Sequence, residues 1–96
     1  MTDLSYMAEA LWALARPISD LVTDPRNARR HGSENLRSIR ASLQAHGQQK
    51  PVVVKDGVVV AGNGTLAVAR ELRWTHLACV EYAGTKAQAA QFALAD

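Results

Sequence analysis

The stretch VVVAGNGTLAVARELRW, Val58 to Trp74, decides how this chain is read. An apolar, β-branched run stops at Gly62-Asn63-Gly64-Thr65, and apolar residues then resume at helical spacing. A strand that turns into a helix through two glycines has two explanations. Glycine lets backbone approach a ligand, and the unpaired amides of a helix start point toward it, which makes an anion site. The alternative is a tight turn and nothing more.

Upstream, PVVVKDGVVVAG reads as two short strands around Lys55-Asp56-Gly57, with Asp-Gly as the hairpin turn. Both strands are almost wholly apolar, which predicts a sheet covered on both faces. Before them, Ser33 can cap a helix with Glu34 in its first turn, an inner stripe of Leu36, Ile39 and Leu43, and Gly47 at its end. Arg37 and Arg40 fall mainly outside that stripe. The preceding DLVTDPRNARRHGS is a loop rich in turn formers and arginine. At the start, Leu4, Met7, Leu11 and Leu14 have the spacing of a short amphipathic helix that Pro17 stops, while Trp12 to Ile18 fits an extended strand equally well.

Downstream, a helix from about Thr65 to Arg73 leads to a third β-like run, His76 to Tyr82. Thr85 and Gln88 then fit a capping box that opens a last helix with Ala89 and Phe92 turned inward. This order predicts an α+β fold, a small mixed sheet with packed helices. Residues 1–14 are expected as an N-terminal helical extension and 15–96 as the domain.

Composition narrows the function classes. The apolar share of 48% is that of a globular chain, and no apolar run reaches the roughly 20 residues that span a bilayer. The acidic start lacks the basic region of a signal peptide, so a cytoplasmic protein is expected. Cys79, the single cysteine, sits in the apolar run LACV and reads as a small core residue. Net charge is only +2, yet Arg16 to Lys50 holds seven basic and three acidic residues, against four of each from Pro51 to Asp96. Such clustering attracts phosphates of nucleotide or nucleic acid, or is a solvated face.

Three nucleotide patterns compete for the glycine turn. Gly62 to Ala67 matches G-x-G-x-x-A, the dinucleotide fingerprint, and Glu81 lies nineteen residues after Gly62, where a ribose-binding acid would stand. The small domain, the brief helix and the hairpin just before the strand oppose an NAD site. A P-loop is excluded because no lysine follows either glycine.

The third pattern uses more of the chain. The order PRNARRH, ENLRSIRASLQAHGQQKPVVV, VVVAGNGTLAVARELRW, KAQAAQFALAD resembles the N-terminal domain of the ParB and sulfiredoxin superfamily, particularly short phage-type ParB-like domains, over roughly Ala15 to Asp96. The resemblance implies binding of a nucleoside triphosphate, CTP or ATP, with or without Mg²⁺. It assigns phosphate contacts to the backbone at Gly62, Asn63, Gly64 and Thr65, and to Arg29 with Arg26 or Arg30. Gly47, Gln48 and Gln49 would stand beside the base or sugar. It also implies a role in bacterial or phage DNA metabolism or its regulation. Two positions depart from the family: Thr65 replaces the usual arginine and supplies no charge, and Asn63 stands where sulfiredoxin has its cysteine, which argues against sulfinic acid reduction.

Three functions are therefore weighed: a nucleotide-binding domain, a minimal nuclease or NTPase, and a degenerate adaptor that has lost its ligand. His31, His46 and His76 lack metal-ligand spacing, and Asp20, Asp24, Glu34 and Asp56 are too scattered to nominate a catalytic pair. Arg26, Arg29, Arg30, Arg37 and Arg40 offer nonspecific DNA contact. Trp12, Trp74, Tyr6, Tyr82 and Phe92 look placed for packing rather than base stacking. The Leu4, Met7, Leu11 stripe could pair two protomers or meet a protein partner, although burial within one domain is simpler.

Overall fold

The computed structural model describes residues 3–24, 32–85 and 87–88. Five strands form one mixed sheet: β1 (Ala15–Pro17), β2 (Val22–Thr23), β3 (Val52–Lys55), β4 (Val58–Ala61) and β5 (His76–Glu81). Their order is β1-β5-β3-β4-β2. The β3–β4 and β1–β5 pairs are antiparallel, whereas β3–β5 and β2–β4 are parallel. Two α-helices that lie wholly within the described residues accompany the sheet, α1 (Ser33–His46) and α2 (Asn63–Glu71).

The hairpin forms where the sequence predicts it. Asp56 and Gly57 both take positive φ, 51° and 82°, as a two-residue turn of matching twist demands. The register shifts between Val53 and Val54, so the partners are Val53–Ala61 and Val54–Val59. That irregularity lies just before the strand-to-helix turn. Val52, Val54, Val59, Leu77 and Cys79 form the core with Leu66 and Ala69 of α2 and with Ile18 and Leu21. Val60 is buried with the half-buried Val53 and Tyr82 in a separate, smaller cluster. Burial holds the Cys79 thiol above its ordinary pKa, in keeping with a packing role.

Helix α1 presents the Leu36, Ile39, Leu43 stripe, of which only Leu43 is fully buried. Gly47 ends it at φ 71°, donating its amide to Leu43 O. The expected Ser33 cap is displaced by one residue: Gly32 occupies the cap position, Ser33 is the first helical residue, and no side chain caps this end. The Arg40 guanidinium pairs with Glu71, tying α1 to α2. The capping box holds, with Thr85 N–H on Gln88 Oε1 at 2.9 Å and Gln88 N–H on Thr85 Oγ1 at 3.1 Å. Ala89 and Phe92 lie outside the described residues.

The amphipathic α-helix expected at the start is not what forms. Glu9–Leu14 is a 3-10 segment without a buried residue, and Ala15–Pro17 is the strand of the alternative reading. Met7 is buried for a different reason: it bridges to Gln48, and Ala8 N–H donates to Gln48 O. The indole of Trp12 donates to Met7 O at 2.9 Å. Trp74 stacks on Tyr6 with ring centroids 4.2 Å apart, so these aromatics serve packing.

Gln48 is the polar knot of this arrangement. At 1% exposure, its Oε1 accepts from Ala78 N–H at 2.8 Å, and its Nε2 donates to Ala78 O and Lys50 O. Truncation strands the buried N–H and O of Ala78 and the part-buried O of Lys50, each costing about 1 kcal/mol. Gln48→Ala should therefore lower stability by about 3 kcal/mol, read as a lower urea midpoint at unchanged slope.

Candidate functional site

The site begins with Gly62, held at φ 103° and ψ 22°. A side chain there would be strained twice over. The left-handed conformation disfavours any Cβ, and one placed at Gly62 would stand 2.5 Å from Val52 Cγ1. The turn aims α2 across the sheet, and the first helical hydrogen bond runs from Leu66 N–H to Gly62 O at 2.9 Å. The amides of Asn63, Gly64 and Thr65 precede that bond, and no side chain caps the helix. Asn63 and Gly64 are buried and Thr65 is half-buried.

Asn63 does not cap the helix; it fastens the turn to its surroundings. Its Nδ2 donates to Val59 O at 2.8 Å, and its Oδ1 accepts from Asp24 N–H at 3.0 Å. Arg70 of α2 reaches the same region, donating to Thr23 Oγ1 at 2.8 Å and to Leu21 O at 3.0 Å. These bonds fix the root of the arginine loop against the glycine turn. Arg26, Arg29 and Arg30 lie outside the described residues, as does His31.

A second expected segment comes to the same place. Gly47, Gln48, Gln49 and Lys50 line a cavity of about 260 Å³ together with Ile39, Ser42, Leu43 and Thr65. Residues from both sides of the hairpin thus share one concavity. The Gln48 side chain spends its polar atoms inside the protein, whereas Gln49 is exposed and donates to His46 O at 2.5 Å. The sequence nominates no role for Lys50, and it weighs Asp24 only among acidic residues too scattered to form a catalytic pair. Adjacency to Gln49 was the available signal for the first, and nothing local distinguished the second.

The NAD reading fails on topology and on Glu81. Strand β4 follows β3 as an antiparallel hairpin, and Glu81 is engaged at the far end of β5. Its carboxylate accepts from Asp56 N–H at 3.0 Å and pairs with Arg16 at 3.3 Å. The Asp56 hydrogen bond, seconded by Arg16, holds the Glu81 pKa below its ordinary value. Among the described residues no group of three histidine, cysteine or acidic side chains could hold a metal ion. No helix among them is long and apolar enough to cross a membrane.

This mixed sheet with its packed helices is the ParB/sulfiredoxin-like fold. It matches ParB of Caulobacter crescentus, solved with CTP-gamma-S, at a TM-score of 0.72 and 18% identity over 83% of this chain. A Pnob8-like ParB-N domain matches at 0.69 and 17% over 82%, and sulfiredoxin of Arabidopsis thaliana at 0.64 and 19% over 83%. The chain spans 49% and 32% of the two ParB chains and 93% of the sulfiredoxin. In sequence it is 28% identical over 79 residues to the ParB-like nuclease domain-containing protein YnaK of Escherichia coli K12, covering 81% of this chain and 91% of YnaK. No family model matches the chain. Sequence and fold together match the ParB/sulfiredoxin superfamily.

The Asn63 bonds generate a local expectation. Asn63→Ala removes the acceptor for Asp24 N–H and the donor to Val59 O. Amide hydrogen exchange at Asp24 should accelerate about tenfold or more, as loss of one buried bond implies, while the β3–β4 hairpin amides keep their protection.

Proposed function

We propose that this domain binds a nucleoside triphosphate, CTP or ATP, with its phosphates at the Gly62 to Thr65 turn. The observation that carries the reading is convergence: an uncapped helix start adjoins a cavity shared by Thr65 and the Gly47 to Lys50 segment. Backbone donors at a helix N-terminus suit an anion, and the cavity's apolar and amide groups suit a base or sugar. The C. crescentus protein of like fold was solved with a CTP analogue, which supports the same ligand class here. The residues present fit such a group. Arg29, with Arg26 or Arg30, would add guanidinium contacts to phosphate from the loop rooted at Asp24. Mg²⁺ would accompany the triphosphate, and the setting would be cytoplasmic DNA metabolism of a bacterium or phage.

A second reading takes the relative's name as its support, a minimal nuclease on this fold. Nonspecific DNA contact through the basic loop belongs to either. Arg40 adds little to it, because its charge is paired with Glu71.

Calorimetric titration with CTP, ATP and NAD, each with and without Mg²⁺, tests the proposal when run beside Thr65→Glu. Glutamate in the first turn of a helix adds about 0.3–1 kcal/mol of stability, so this variant should fold at least as well as the parent. It should bind CTP or ATP about tenfold more weakly or worse, through like-charge repulsion. Binding of neither triphosphate would reject the proposal, and Mg²⁺-dependent DNA cleavage without nucleotide binding would favour the nuclease.

A further inference from the structure

We propose that Lys50 is the phosphate-reading cation of the cavity beside the glycine turn; this rests on the nucleotide reading above and adds to it the residue that supplies charge. The cavity wall consists of Ile39, Ser42, Leu43, Gly47, Gln48, Gln49, Lys50 and Thr65. Among the described residues that line it, Lys50 is the only charged one, and none carries a carboxylate to neutralise it. The ion pairs of the described residues join Arg16 to Glu81 and Arg40 to Glu71, and Lys50 takes part in neither. Its backbone is nevertheless fixed, because Lys50 O accepts from the buried Gln48 Nε2 at 2.9 Å, and Pro51 follows before β3 begins. Lys50, exposed and without an ion pair among the described residues, thus lines a partly apolar concavity from an anchored backbone.

That combination selects for a ligand with an uncharged body and an anionic end. Thr65, which lines the same cavity, offers a hydroxyl but no charge, so the described lining draws its positive charge from Lys50. An ammonium acts on phosphate as a point charge with three donors and tolerates several oxygen positions. The attraction grows with the charge of the phosphate chain, so discrimination by chain length follows: triphosphate before diphosphate before monophosphate.

The test compares the full chain with Lys50→Gln and Lys55→Gln in titrations with CTP, CMP and inorganic tripolyphosphate at two salt concentrations. Both variants remove one positive charge, but Lys55 lies on β3, outside the cavity, with its Nζ 3.5 Å from Tyr82 O. Lys50→Gln should weaken CTP and tripolyphosphate about tenfold or more, affect CMP less, and flatten the salt dependence, with the unfolding midpoint unchanged. Lys55→Gln should leave all three affinities within about twofold, as for a distant screened charge. Equal losses in both variants, or CTP affinity unaltered in Lys50→Gln, would overturn the role of Lys50 and leave the nucleotide site standing. No binding of CTP or tripolyphosphate by the parent chain would overturn both.

Discussion

The absence of a single carbon atom governs this structure. Gly62 has no Cβ, and the space one would take is occupied by Val52, the first residue of the central strand β3. Only because the chain can approach β3 so closely, and bend through a left-handed conformation while doing so, does α2 start where it does. Leu66 and Ala69 then meet the valines of the hairpin in one core. The same bend leaves the leading amides of α2 ahead of its first internal hydrogen bond. Packing and chemistry share one cause here, since the contact that seats the helix also presents its polar end.

Around that bend the fold uses buried amides rather than ions as fasteners. Gln48 joins the end of α1 to β5 and to the approach to β3, while Asn63 joins the start of α2 to β4 and to the loop root. Each spends both its donor and its acceptor, so neither leaves a stranded polar group. Two ion pairs between described residues, in contrast, lie at the rim. Arg40–Glu71 and Arg16–Glu81 are partly exposed pairs of modest worth. Arg70 differs from them in bonding to neutral oxygens, and so orders the backbone of Leu21 to Thr23 rather than balancing a charge.

Features set by short-range chemistry were legible in the sequence: the Asp56-Gly57 turn, the Gly47 helix end, the Thr85–Gln88 box and the strand-to-helix change at Gly62. Those set by distant partners were not. Leu4, Met7, Leu11 and Leu14 carry a helical period, but Met7 is buried by a bridge to Gln48, and tertiary contact overrides the pattern. Glu81 stood at the right separation from Gly62 for a ribose contact, yet in a mixed sheet the crossing strands take it to Arg16 and Asp56. Uniform valine runs concealed which residues face α2, because the shift between Val53 and Val54 alters the alternation. For the candidate site, local chemistry marks the glycine turn and the Gly47 to Gln49 segment separately, and only the family resemblance puts them in one site. Their meeting in one cavity depends on how α1 packs against α2, which no local pattern encodes.

The lashing of the N-terminal segment bears on the order of folding. Strand β1 pairs with β5 across some sixty residues of chain, and Tyr6 meets both Trp74 and the backbone of His76. The hairpin, by comparison, closes over two residues. Loop closure makes remote pairings entropically expensive until the intervening chain is compact, so hairpin and α2 should consolidate first. Tyr6 to Pro17 emerges from synthesis before every partner it needs, and must wait for β5 before it can dock.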